Sequence, residues 1–170
     1  MTASDKRHLL AAQGWIELGL FADAVDELDS ITPKNRKKAE VLTVRWGASS
    51  GAKKWDEAVE LAQTLTEIAP DRFDGWWMKS YALHEMKRTQ EAYENLASVI
   101  PKFSREHTAH YNVACYLVQL GRVDDAREYL KVAFALAPDM REGALADPDL
   151  EPLWPEIRRG AFNATGKPHH

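Results

Sequence analysis

The chain has 170 residues, 45% of them apolar and 28% charged, with a formal net charge of -4. That is enough chain for one domain with a sizeable core and too apolar for intrinsic disorder. It lacks the basic excess of a dedicated nucleic-acid binder.

Cys115, the single cysteine, has no partner for an internal disulfide, so nothing calls for an oxidising compartment. At the N-terminus, Asp5 and then Glu17 interrupt any apolar run of signal-peptide type. No stretch approaches the roughly 20 apolar residues that span a bilayer. The expectation is a cytoplasmic protein without membrane insertion.

In chain order, a first helix begins near residue 5 and ends at Gly19, where a left-handed backbone is cheap for glycine. A second helix carries Ala24, Leu28 and Ile31, and Pro33 follows, closing a unit of about residues 5–34. Residues 39–70 repeat the plan. Gly51 stands where it is able to end the first helix, and the second carries Ala58, Ala62 and Leu65 before Pro70. Residues 73–104 carry Ala92, Leu96 and Val99 before Pro101. Residues 107–138 have Gly121 between the helices, then Ala126, Leu130 and Ala133 before Pro138.

The four alanines follow one another at intervals of 34 residues. The steps of four and then three to the next apolar residues put each trio on one helical stripe. Five residues before each alanine stand Gly19, Lys53, Lys87 and Gly121. The prolines fall nine residues after Ala24 and Ala92 but twelve after Ala58 and Ala126. The second helices of the first and third units are therefore expected to end early. Good helix formers fill the spaces between, and no alternating segment predicts a sheet.

A 34-residue period with a small residue at the helix contact, an apolar residue four later and a proline near the end resembles the tetratricopeptide repeat. The resemblance covers about residues 5–138. It implies an all-α solenoid, a right-handed superhelix of helix-turn-helix units with a concave side. Ala12, Ser80 and Ala114 match the small residue preferred midway along the first helix. Trp46 departs from it, and Arg45 and Lys79 stand where leucine is usual.

Residues 139–160 supply Leu145, Leu150, Leu153, Trp154 and Ile157. Asp147 before Pro148 reads as a helix cap and first helical position. The segment is expected to be a C-terminal capping helix over the last apolar face, the alternative being an arm that folds back into the groove. Residues 161–170, with the terminal His169 and His170, are expected to form a flexible tail.

The resemblance also implies that the first helix of each unit lines the groove. That assigns Lys6, Leu9, Gln13, Ile16 and Glu17, then Glu40, Thr43, Gly47 and Ser50. The third unit contributes Asp74, Trp77, Tyr81, His84 and Glu85. The fourth contributes Thr108, Tyr111, Asn112, Cys115, Val118 and Gln119. Within these, Leu9, Gln13, Ile16, Trp77, Tyr81, His84, Tyr111, Asn112 and Cys115 are the candidate partner-binding residues, with aromatic side chains as anchors. Packing between helices is the competing role for Trp77 and Tyr81, and is the expected role of Trp76. The clamp of lysine, asparagine and arginine that some relatives use on a terminal carboxylate is absent: Leu9, Gln13, Val44, Asp74 and Met78 stand at its positions.

Other constellations carry little chemistry. Lys34, Arg36, Lys37 and Lys38 form one short basic run, read as a solvated loop and helix start. His107 and His110 lie one turn apart without a further ligand at helical spacing, so no metal site is expected. Asp147 and Asp149 are explained by capping. Cys115 lacks the surroundings of a nucleophile, and no phosphate-binding glycine loop occurs. The reading is a non-enzymatic, cofactor-free scaffold or adaptor that holds a protein or peptide partner through apolar and mixed polar contacts. Alternatives are a dedicated chaperone for an unfolded or secreted client and a self-assembly module forming homo-oligomers.

Overall fold

The computed structural model describes residues 1–162. Within them the protein is all-α, with ten α-helices and two short 3-10 helices. The eight longer helices are α1 (Ala3–Glu17), α2 (Phe21–Asp29), α3 (Ala39–Gly51), α4 (Trp55–Ile68), α5 (Phe73–Glu85), α6 (Thr89–Ala97), α7 (His107–Gln119) and α8 (Val123–Leu136). They are followed by α9 (Met140–Ala144), a 3-10 helix (Pro148–Leu153) and α10 (Trp154–Arg158). As the proline spacing requires, α2 and α6 run nine residues each, whereas α4 and α8 run fourteen.

The chain forms two compact units, Met1–Lys87 and Arg88 onward. In the first, α1 pairs with α2 and α3 with α4, while α3 also lies beside α1 and α5. In the second, α7 packs between α6 and α8, and the C-terminal segment lies on α7 and α8.

The repeated alanines occupy the contacts the period assigns them. Ala24, Ala58, Ala92 and Ala126 are fully buried, as are Leu28, Ala62, Leu96 and Leu130 one turn on. A side chain no larger than a methyl lets helix backbones approach closely, and the larger apolar residue fills the space beside it. Ala12, Ala24, Leu28, Ile31, Val41 and Ala48 form one cluster, and Leu42, Trp46, Ala58, Ala62, Leu65 and Met78 another.

The turns between paired helices show one backbone solution repeated four times. Gly19 (φ 74), Lys53 (φ 57), Lys87 (φ 63) and Gly121 (φ 77) are all left-handed. The amide after the left-handed residue reaches back five residues, as in Leu20 N–H to Trp15 O, Lys54 N–H to Ser49 O and Arg122 N–H to Leu117 O. That is the Schellman closure of a helix end. Gly51 has a different role from the expected one: it is the last residue of α3, and Lys53 takes the left-handed position. A Cβ at Gly51 would run into the Phe21 ring, so glycine is needed there for close approach.

The N-terminus is tied down by a buried carboxylate. Thr2 and Asp5 form a capping box at the start of α1. Asp5, 2% exposed, also accepts hydrogen bonds from Thr32 N–H (2.8 Å), the Thr32 hydroxyl (3.0 Å) and Asn35 Nδ2 (2.7 Å). Those donors, led by the Thr32 amide, hold the Asp5 carboxyl well below the usual carboxylate range. In the basic run, Arg36 is committed to the Ile31 and Asp29 carbonyls, while Lys34, Lys37 and Lys38 are exposed.

Candidate functional site

In the first unit, α1 and α3 lie side by side because Ala12, Val41, Val44 and Ala48 form part of one core. Their outward stripes leave an open cleft of about 630 Å³ lined by Leu10, Gln13, Gly14, Ile16, Glu17, Thr43, Val44 and Gly47. Five of these eight, Gln13, Ile16, Glu17, Thr43 and Gly47, are groove positions assigned from the sequence. Gln13 and Glu17 are exposed, and Leu9 and Ile16 are half-buried against the core beneath. Leu10, which sequence reasoning missed, is 69% exposed. Its spacing of three and seven residues from Gln13 and Glu17 was the available signal. The floor is aliphatic, and the side chains able to hydrogen-bond sit on the walls.

Trp77 and Tyr81 are half-buried on α5 and belong to an aromatic cluster. The Trp46 ring lies 5.8 Å from that of Trp77 and 6.1 Å from that of Tyr81, and Trp55 meets Tyr81 at 6.0 Å. Trp46 therefore fills the space that a small residue leaves elsewhere, and it holds α3 against α5. The indole N–H groups of Trp46 and Trp77 are buried without an acceptor among the described residues. Packing is the main role of these rings, with one face of Trp77 and Tyr81 left to the surface. His84 is half-buried three residues further on. Trp76, expected to pack between helices, is only half-buried, and its indole N–H donates to the Pro70 carbonyl at 3.2 Å.

The second unit departs from the sequence reading. Cys115 is not open to a partner: it is 3% exposed, with Sγ 3.8 Å from Asp147 Oδ2. Burial first, and then the neighbouring Asp147 and Asp149 charges, push its thiol well above the usual range. The Tyr111 hydroxyl donates to the same Asp147 carboxylate at 2.7 Å, and burial raises the phenol likewise. Asn112 spends its amide on the Thr108 carbonyl of its own helix, and Val118 is buried. Gln119 donates to the Asp149 carbonyl.

The C-terminal segment causes this. Asp147 caps the 3-10 helix through the Asp149 amide, and Leu150 and Leu153 are fully buried. Arg127 grips Glu156 with two hydrogen bonds of 2.8 and 2.7 Å. The segment, made of α9, a 3-10 helix and α10, packs on α7 and α8 and covers positions that the resemblance assigned to the groove. Phe162, placed by the sequence in a flexible tail, is instead buried beside Phe134, and its carbonyl accepts from Arg141. The rest of that tail, 163–170 with its two histidines, lies outside the described residues.

His110 is buried with Nε2 2.8 Å from the Ser104 carbonyl. Among the described residues no cluster of histidine, cysteine and carboxylate side chains is arranged to hold a metal, and no helix is long and apolar enough to cross a membrane.

Comparison with known proteins bears on the fold. Residues 107–140 match the tetratricopeptide repeat family. No curated protein matches the sequence. Among solved structures, MamA from Desulfovibrio magneticus RS-1, from residue 41 to its end, superposes with a TM-score of 0.75 at 16% identity, over 95% of each chain. A further MamA crystal structure gives 0.70 at 14% identity, over 94% of this chain and 90% of that one. A MamA mutant gives 0.62 at 22% identity, over 76% and 75%. At such identities the likeness is one of fold.

Proposed function

From the premise that the chain is a tetratricopeptide-repeat protein, we propose that it is a protein-interaction scaffold whose α1–α3 cleft receives a segment of a partner protein. The open cleft itself is the observation that carries this reading. It has an aliphatic floor at Ile16 and Val44, an exposed Leu10 at its edge, and hydrogen-bonding side chains at Gln13 and Thr43. An extended or helical partner segment would bury an aliphatic side chain on that floor while its polar groups meet the walls. Trp77 and Tyr81 extend the surface on α5, where aromatic faces favour binding of apolar side chains. Tyr111, Asn112 and Cys115 have no part in this proposal, since their polar groups are engaged by the C-terminal segment and by α7 itself.

The test is affinity capture from the native cell with wild-type protein and with Gln13→Arg plus Thr43→Arg. Both substitutions fill the cleft from its rim without touching the core. Loss of the captured partner in the double variant, with unchanged circular dichroism, is the expected result. Equal recovery would remove the cleft from the interface.

A further inference from the structure

We propose that the corner where the first turn of α1 meets the connection from α2 to α3 anchors an acidic stretch of the partner protein, rich in aspartate or glutamate. That the partner is a protein rests on the scaffold reading above; the anchoring surface lies outside the cleft and adds a second contact to it.

The corner is built by the buried Asp5 carboxylate. By accepting from Thr32 and from the Asn35 side chain it clamps residues 32–35 onto the first turn of α1, and so brings two basic stretches together. Over residues 1–8 and 32–40 the exposed charges are Lys6, Arg7, Lys34, Lys37 and Lys38 against the carboxylate of Glu40. The other charged side chains there are already engaged: Asp5 is saturated with donors, His8 meets Glu27 at 2.7 Å, and Arg36 spends its guanidinium on the Ile31 and Asp29 carbonyls. Among the described residues the five exposed cations form no ion pair. Lys38 instead lies against another cation, the Met1 amino group, and holds it below its usual range, with Lys6 adding to the effect. α3 begins at the same corner, and no side chain caps it.

A positive corner on a chain with a formal net charge of -4 is a local field, opposite in sign to the molecule as a whole. Like charges held side by side repel, and an anion seated among them relieves that repulsion. The positive end of the α3 dipole favours the same sign of ligand. The surroundings suit an acidic protein segment better than a nucleic acid or a membrane. Residues 1–8 and 32–40 carry no phenylalanine, tyrosine or tryptophan on which bases could stack. The lysines cluster on a short connection, not along an amphipathic helix of the kind that lies on lipid. Arg7 and the cleft-lining Leu10 are three residues apart on α1 and share a helix face, so a segment leaving the cleft at that end passes the corner.

The test titrates the full chain into a fluorescent glutamate dodecapeptide and follows its anisotropy. Binding is expected, weakening on raised salt and falling by about tenfold or more in Lys6→Glu plus Lys38→Glu. Both positions are exposed, and an acid in the first turn or at the cap of a helix suits its dipole, so the variant should fold; unchanged circular dichroism verifies it. Arg105→Glu plus Lys131→Glu, at exposed cations of the second unit, makes the same change of net charge and should leave affinity within about twofold. A peptide that does not bind, or that both variants weaken equally, would overturn the inference, as would tighter corner-dependent binding of oligothymidine or of phosphatidylserine vesicles. Affinity capture from the native cell separates this inference from the scaffold reading. A partner lost in Gln13→Arg plus Thr43→Arg but kept in Lys6→Glu plus Lys38→Glu would overturn the inference and leave the scaffold reading intact. Peptide binding at the corner with no cleft-dependent partner would support the anchoring surface and sink the cleft reading alone.

Discussion

Replacing Trp46 by alanine perturbs the one place where the repeat breaks its own rule of small residues. Trp46 is 7% exposed and sits among Leu42, Ala58, Ala62, Leu65 and Met78, with the Trp77 and Tyr81 rings within 5.8 and 6.1 Å. Truncation returns about 150 Å² of apolar surface to a cavity or to water. At roughly 25 cal/mol per Å² that is about 4 kcal/mol. The two lost ring contacts add about 0.5–1.5 kcal/mol each. Against this, the indole N–H of Trp46 has no acceptor among the described residues, and removing a buried unsatisfied donor recovers about 1–3 kcal/mol. The net loss is about 3–5 kcal/mol, in the range for tryptophan truncation in a core. Trp46→Phe keeps most of the area and deletes the orphan donor, so it should change stability by about 1 kcal/mol or less. Urea unfolding followed by circular dichroism, with midpoints compared at unchanged slope, measures both. A Trp46→Ala midpoint equal to wild type would refute the packing assigned to this cluster.

Further outcomes follow from the turns, the N-terminal knot and the buried thiol. Lys53→Gly and Lys87→Gly should each raise stability by about 0.5–1 kcal/mol, because both lysines hold a left-handed backbone that glycine adopts without strain; a lowered urea midpoint would contradict this. The folded-state pKa of Asp5 is depressed, so its stabilisation is present above the unfolded value near 4 and is lost as pH falls below it. The gap in urea midpoint between wild type and Asp5→Asn should therefore be full at pH 7, begin to narrow near pH 4 and keep narrowing as the pH falls further; a gap that widens in acid would be the wrong sign. Cys115 should react with a thiol reagent only as fast as the C-terminal segment opens, and rapidly in urea. Rapid labelling of the native protein would show that the segment does not cover it.

The fold was legible because its signal is local and repeated. One small residue every 34 positions, with its apolar neighbours on the same stripe, specifies a helix contact whatever surrounds it. The short second helices were equally legible, since Pro33 and Pro101 fix where the chain must leave the helix. What escaped the sequence is long-range or masked by residue type. Lys53 and Lys87 adopt the conformation of Gly19 and Gly121, but lysine carries no mark of a left-handed backbone. The donors that saturate Asp5 lie 27 and 30 residues away. Tyr111 and Cys115 look like groove residues until Asp147, 36 and 32 residues downstream, is folded onto them. Gln13, Ile16, Thr43 and Gly47 line one cleft because the repeat spacing alone puts them on a shared face.

The most direct test of the account is site-specific photo-crosslinking in the native cell, with a benzophenone side chain placed at Gln13 in the cleft and, as control, at exposed Glu60 on α4. The account predicts a discrete crosslinked protein from position 13 that is absent from position 60. Crosslinking from position 60 with none from position 13 would contradict it.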